Sequence, residues 1–342
     1  MSKERRRIDG ILELVKKFPS VPKAGLPASV GVEGLDDCSV VPIGNGIDLI
    51  IGSDFVRGEE FHLYRAGMLA RQDIGYFLIG ANASDLAAMG AAPLGIVVAF
   101  RYTPEMSDKE FQDIMEGICM ACADFGMPLL GGDTGGYPLS VLSAAAIGTC
   151  PSGRALLRSG GREGDKLFLT GDVGTAGAAI RYFINTPEEK RTLTTQQEEC
   201  LLSAWRRVKP AIEQGRLLVE SGLSRCAIDT SDGLKVSCEQ LAAASHLDVV
   251  VQPSTVPLSE VAEKVADLCG VNRLEVAFGD SVDFRLLFSV GKHEVEKLKD
   301  LFASRDFPLF EIGEFKRMGS KPAAYLTSPD GLGLIPGVGW LQ

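Results

Sequence analysis

The sequence predicts an α/β protein of two domains, and three observations carry that reading. The chain has 342 residues with 45% hydrophobic content, enough apolar material for more than one core. Short apolar runs alternate with segments of helical period along nearly the whole length. Pro151, Ser152 and Gly153 punctuate that alternation near the middle, which sets the domains at 1–151 and 152–342. No internal repeat relates the halves.

In the first half, MSKERRRIDGILELVKKF mixes charge with apolar residues at helical spacing and reads as an amphipathic helix rather than a signal peptide. CSVVPI and DLIIGS read as two strands joined through Gly44, Asn45 and Gly46, a hairpin signal. A long helix is predicted over 64–89, followed by the strand LGIVVAF, a helix over 107–125 and the strand LSVLSAAAIGT. The second half opens with the strand KLFLTG and continues with helices over 175–182 and 196–222, the strand CAIDTS, a helix over 233–245 and the strand LDVVVQ. It closes with FRLLFSV, a helix over 292–304, two weaker strands and a Gly-rich tail.

Composition excludes several function classes. Lys and Arg number 35 against 45 Asp and Glu, for a net charge of -10, and the basic residues are scattered apart from KERRR; nucleic acid is not an expected partner. No run approaches the length of a membrane span, so the expected location is the cytoplasm, with no membrane partner. Cys119 and Cys122 lie at C-x-x-C spacing inside a helical pattern with no second pair, which reads as core packing rather than a zinc site. Only His62, His246 and His293 occur, far apart, which disfavours histidine-based metal or triad chemistry.

What remains is acid beside glycine. GANASDLAAMGAAPLG reads as a close-packed helix of small residues with Asp85 in its middle. A carboxylate there costs several kcal/mol unless it reaches water or a counter-ion. Similar placements recur in GLDDC (Asp36, Asp37), GSDF (Ser53, Asp54), LGGDTGG (Asp133) and IDTSDGL (Asp229, Asp232). Three of them follow an apolar run that reads as a strand, where side chains project into a shared crevice. Clustered carboxylates without His or Cys are hard-oxygen ligands suited to Mg²⁺, which commonly binds together with substrate phosphates. Gly34, Gly131, Gly132, Gly135 and Gly136 would let backbone N–H groups approach such phosphates. TGDVGTAGAAI reads equally as a phosphate loop or as a tightly packed helix start. Neither a Walker A sequence nor the protein-kinase motif set is present, so any use of ATP would come from another fold.

In this order, NASDLAAMGAAP, LLGGDT, GRALLRSGGREGD and AIDTSDGL resemble the thiamine-monophosphate kinase family, a branch of the superfamily that includes aminoimidazole ribonucleotide synthetase. The resemblance runs from about residue 34 to 290. It implies the two-domain aminoimidazole ribonucleotide synthetase-like fold and a homodimer joined through N-terminal strands. It also implies ATP- and Mg²⁺-dependent phosphorylation of thiamine monophosphate to thiamine diphosphate. Carried over by motif, Asp36, Asp37, Ser53, Asp54, Asp85, Asp133, Asp229 and Asp232 would hold Mg²⁺. Nucleotide contacts would come from Asp37, Ser53, Asp85, Gly132, Asp133, Arg158 and Ser231, and catalysis would centre on Asp54, Asp133 and Asp232. His62, Asp283 and Trp340 would contact the acceptor.

The sequence departs from the family at Leu35, where Gly is usual, at Phe55, at Phe77, where Lys is usual, and at Ser237, where a second Asp is usual. FGDSVDFRLLF keeps Asp283 but carries Arg285 in place of a Glu. Those departures leave two alternatives open: a relative with another acceptor, or a non-catalytic paralogue that binds nucleotide or thiamine phosphates.

Overall fold

The computed structural model describes residues 3–18, 28–319 and 321–336. The first half contains α1 (Lys3–Lys17), β1 (Ser39–Gly44), β2 (Ile47–Val56), α2 (His62–Arg65), α3 (Arg71–Ala88), β3 (Ala92–Tyr102), α4 (Asp108–Asp124), β4 (Leu129–Gly136) and β5 (Val141–Pro151). Its strands form one sheet in the order β1-β2-β5-β3-β4, antiparallel except for the β3–β4 pair. The hairpin at Gly44–Gly46 forms as its turn residues require, with positive φ at Gly44, Asn45 and Gly46.

One face of this sheet buries Ile50, Val98, Leu142, Ala144 and Ala146. α3 and α4 cross at a separation that only glycine permits. A Cβ at Gly75 would lie 2.1 Å from the Ile114 carbonyl oxygen, and one at Gly117 would lie 1.8 Å from that of Gln72. α3 is accordingly buried along nearly its whole length, and any polar group on it is held at a defined place.

The second half contains β6 (Lys166–Leu169), α5 (Thr175–Ile180), α6 (Thr195–Arg206), α7 (Ile212–Ser221), β7 (Cys226–Asp229), α8 (Leu234–Ser245), β8 (Asp248–Val251), α9 (Glu260–Cys269), α10 (Arg273–Ala277), β9 (Leu286–Val290), α11 (Val295–Ala303), β10 (Phe310–Lys316), β11 (Ala324–Ser328) and β12 (Gly331–Leu334). Seven strands form a second sheet in the order β12-β11-β8-β10-β6-β9-β7. The halves share a core: Leu78 of α3 belongs to the same cluster as Tyr182, Trp205, Val265 and Phe284.

The structure corrects several element boundaries. The helix predicted over 64–89 is two helices, α2 and α3, separated by residues 66–70, where Gly67 takes φ +75°. The helix predicted over 196–222 breaks into α6 and α7 at Pro210, which lacks an N–H and disfavours helical backbone at the residue before it. LLGGDTGG, for which no strand is predicted, forms the edge strand β4. Helix α9 was not anticipated, although Ser259 caps it by accepting from the Ala262 N–H at 3.2 Å.

Candidate functional site

Four stretches of chain converge on a cavity of about 420 Å³ at the junction of the halves. The turn before β1 brings Asp36 and Asp37, β2 brings Ser53 and Asp54, α3 brings Asp85, and the turn after β7 brings Ser231 and Asp232. Arg158, from the segment entering the second half, completes the polar side. Asp37, Asp85 and Asp229 each place a carboxylate oxygen within 4.8 Å of the others. This set is all oxygen and offers no His or Cys, so it fits a hard divalent cation such as Mg²⁺ and not zinc.

Each acid is held by specific partners. The Ser84 hydroxyl donates to Asp229 Oδ2 at 2.6 Å, from α3 to the end of β7, while the Ser231 hydroxyl and N–H donate to Oδ1 at 2.7 and 3.2 Å. Arg158 donates to Asp37 Oδ1 at 2.5 Å from Nη2 and to Oδ2 at 3.3 Å from Nε. Its own N–H donates to Asp36 Oδ2 at 3.1 Å. Asn82, fully buried, accepts from the Asp54 N–H at 3.2 Å and donates to the Leu78 carbonyl at 2.9 Å, fixing β2 against α3.

Burial and crowding raise the proton affinity of these acids. Asp229 is pushed up from 3.8 to about 7, first by burial and then by Asp37, against the hydrogen bonds from Ser84 and Ser231. Asp36 also rises to about 7, by burial and by Asp37, with Arg158 opposing. Burial drives Asp85 well above the usual carboxylate range, and Asp229, Asp37 and Asp54 push it in the same direction. Asp54 is raised by burial and by Asp232, against the Phe55 N–H.

A stability prediction follows. The unfolded chain releases these protons near pH 4, whereas the folded chain keeps those of Asp36 and Asp229 until about 7. The unfolded state is therefore favoured increasingly across that window. For Asp229 alone the rise from 3.8 to about 7 corresponds to roughly 4 kcal/mol. Thermal melts in EDTA should give a lower Tm at about pH 8 than at about pH 5. An equal or higher Tm at the alkaline end would contradict the crowding.

The other wall of the cavity is aromatic. Phe77 stacks on Trp205 at 5.4 Å between ring centroids, with planes 13° apart, and meets Phe61 and Phe284 edge-on at 5.1 and 5.3 Å. The Trp205 indole N–H donates to the Ala176 carbonyl at 3.0 Å. Phe61, Trp205 and Phe284 carry no local signal in the sequence, because they are far apart along the chain. Phe77, which looked like a lost polar group, is the centre of this wall.

Several expected site residues lie elsewhere. Asp133 sits on the edge strand β4, in register with Ala99 on the outer face of the sheet, and pairs with Arg101. With Gly132 it lines a separate groove of about 510 Å³, which Ser53 and Asp54 also border. Asp133 and Gly132 are therefore not brought to the carboxylate cluster within one chain. Asp283 is spent inside the protein: it accepts from the N–H groups of Gly174 and Ala176 at 2.6 and 3.2 Å and from Ser281 at 2.6 Å, anchoring the start of α5. His62 is exposed on α2 and does not line the cavity, although its neighbour Phe61 does. Trp340 lies outside the described residues.

The departures from the family pattern also acquire physical readings. Leu35 takes φ +49°, a conformation glycine adopts without strain, and Arg158 Nη1 donates to its carbonyl at 3.0 Å. Ser237 is buried and donates to the Asp229 carbonyl at 2.7 Å, bracing the turn that carries Ser231 and Asp232. Arg285 turns away from the cavity and pairs with Asp172 at 3.0 Å.

Two α/β units thus share a core and place their acids at the junction. The chain belongs to the AIR synthase related protein family, whose N-terminal domain matches residues 35–150 and whose C-terminal domain matches residues 162–320. Within that family it is similar to thiamine-monophosphate kinases. It is 31% identical over 248 residues to the enzyme of Rhodopirellula baltica, a span covering 72% of this chain and 67% of that protein. The crystal structure of thiamine-monophosphate kinase from Stenotrophomonas maltophilia superposes with a TM-score of 0.72 at 27% identity, over 87% of this chain and 90% of that one. AaThiL complexed with AMPPCP and TMP shares the fold, with a TM-score of 0.78 at 22% identity over 96% of this chain and 94% of that one.

Proposed function

We propose that this chain is an ATP- and Mg²⁺-dependent kinase that transfers the γ-phosphoryl group of ATP to the phosphate of thiamine monophosphate, giving thiamine diphosphate. The observation that carries this reading is the pairing, in one cavity, of converging carboxylates with an aromatic wall. The relatives named for this activity support it, as does the like-folded AaThiL, which was complexed with AMPPCP and TMP.

Asp37, Asp85 and Asp229 would hold Mg²⁺, with Asp36, Ser53, Asp54 and Asp232 lining the space around it. Bound there, the ion would neutralise phosphate charge and favour in-line attack. Arg158 keeps Asp37 in place and limits the repulsion among the acids. No strong general base is required, because a phosphate acceptor with a second pKa of about 6 is already anionic near neutral pH.

Ser84 positions Asp229 from the opposite half of the molecule. Ser84→Ala is expected to weaken Mg²⁺ binding by about ten- to a hundredfold, read by isothermal titration, because groups that orient metal ligands typically contribute that much. Unchanged Mg²⁺ affinity would remove Ser84 from this role.

The aromatic wall, in which Phe77 and Trp205 stack on each other, offers apolar contact to a flat ring such as the thiazolium of thiamine. Phe77→Leu, which keeps an apolar side chain, should raise KM for thiamine monophosphate about tenfold and leave KM for ATP nearly unchanged. Equal effects on both would place the ring elsewhere. The function itself is tested by offering thiamine monophosphate, thiamine and an unrelated phosphate monoester as acceptors with ATP and Mg²⁺. Diphosphate formed from thiamine monophosphate alone is the expected outcome. Val282, from the altered 279–285 stretch, lines the cavity and favours a different acceptor as the second reading, which ATP consumption with another monoester would support.

The outer face of the first sheet exposes Ile51, Phe55, Val97 and Val141. An apolar sheet face of this kind fits burial against a second copy, so we assign the protein as a homodimer through it. That contact would also cover the groove holding Asp133 and Gly132. No described helix is long and apolar enough to cross a membrane, and ATP as co-substrate fits a cytoplasmic enzyme.

A further inference from the structure

A second cavity, of about 660 Å³, backs onto the first. Phe284 lines the first and Arg285 the second, so the two flank one stretch of backbone. Pro210, Pro257 and Pro308 line the second cavity together with Leu258 and Phe310, which gives it a stiff, largely apolar wall.

Its charges do not cancel. Asp172 is matched by Arg285, which donates to its carboxylate from Nη2 and to its backbone carbonyl from Nε, both at 3.0 Å. Arg273 is spent on Glu263 and on the carbonyls of Pro253 and Val256. Glu260 pairs with Lys264. Lys209, exposed in the connection between α6 and α7, has no ion pair among the described residues, and Arg285 Nη1 donates no hydrogen bond among them. The cavity thus presents an uncompensated ammonium and a spare guanidinium edge beside an apolar wall. A phosphate, with several acceptor oxygens, can take up both donors at once.

We propose that this cavity binds a small phosphate-bearing metabolite, its phosphate on Lys209 and Arg285 and its apolar body against Phe310 and the prolines. The site communicates with the first cavity through the backbone. The Arg285 N–H donates to the Thr230 hydroxyl at 3.0 Å, and the Thr230 N–H donates to the Arg285 carbonyl at 2.9 Å. Ser231 and Asp232, the next two residues, line the first cavity. An occupant that draws on Arg285 therefore acts on the turn that presents them.

The test is isothermal titration of phenyl phosphate into this protein in EDTA, where no cation draws the anion to the carboxylates of the first cavity. Saturable one-to-one binding is expected, weaker for inorganic phosphate, which lacks the apolar body. Lys209→Glu should weaken phenyl phosphate binding about tenfold or more, and Lys209→Ala should fall between that variant and wild type. Both changes are at an exposed position, and thermal melts of the variants would check that they fold. Absence of saturable binding to wild type, or equal affinity in Lys209→Glu, would overturn the proposal; equal affinity for phosphate and phenyl phosphate would overturn the role of the apolar wall. Lys209 lies outside the first cavity, so neither result depends on whether thiamine diphosphate is formed.

Discussion

Asp85→Asn is expected to lower kcat for thiamine diphosphate formation by about 10³-fold and to raise the Tm of the metal-free protein. Both effects have one cause. Asp85 projects from a helix that is buried along nearly its whole length and that α4 approaches closely at Gly75 and Gly117. Its carboxylate faces Asp37, Asp54 and Asp229, with Arg158 as the opposing charge. Without a cation this crowding is destabilising, and Asn keeps the side chain's shape while removing the charge. With a cation the same crowding is what binds it, and losing one ligand removes several kcal/mol of charge stabilisation from the transferring phosphate. Steady-state kinetics and melts in EDTA read the two effects separately. A variant that is fully active, or that melts lower without metal, would contradict the account.

Arg158→Ala carries the largest expected stability loss, about 3–5 kcal/mol. The Asp37 side chain is only 2% exposed and that of Arg158 19%, so truncating the arginine leaves a buried carboxylate beside Asp36 with no counter-charge. The same guanidinium donates to the carbonyl of Leu35, whose left-handed backbone it helps to hold. Arg158→Lys keeps the charge but cannot reproduce the forked contact, and should fall between wild type and Ala. Urea unfolding of the three proteins would show this order. A loss below about 1 kcal/mol for Arg158→Ala would mean that the ion pair behaves as an exposed one.

Much of the fold was legible because local signals and tertiary packing agree. Gly44, Asn45 and Gly46 dictate a hairpin whatever surrounds them, and the apolar runs of β3, β5 and β9 are long enough to read as strands. β4 was hidden because LLGGDTGG has almost no β-favouring residue; pairing with β3 alone makes it a strand. The acid cluster was legible because Asp beside glycine at strand ends is a local pattern, and Asp36, Asp37, Asp54, Asp85 and Asp232 do share one cavity. The position of Asp133 was not, since the alternation of a strand decides its face and the segment was not recognised as a strand. Asp283 is expected at the acceptor only through its match to the family motif; its role in anchoring α5 was hidden because the N–H groups it accepts from, at Gly174 and Ala176, lie far away in sequence. The aromatic wall was invisible for the same reason: Phe77 and Trp205 meet only once α3 and α6 pack.

The most direct test of the central claim is chromatographic detection of thiamine diphosphate from purified protein, thiamine monophosphate and ATP, with Mg²⁺ or with EDTA, beside Asp85→Asn. The account predicts product with Mg²⁺ and none with EDTA or from the variant. No thiamine diphosphate from wild-type protein that still binds ATP with Mg²⁺ would contradict it.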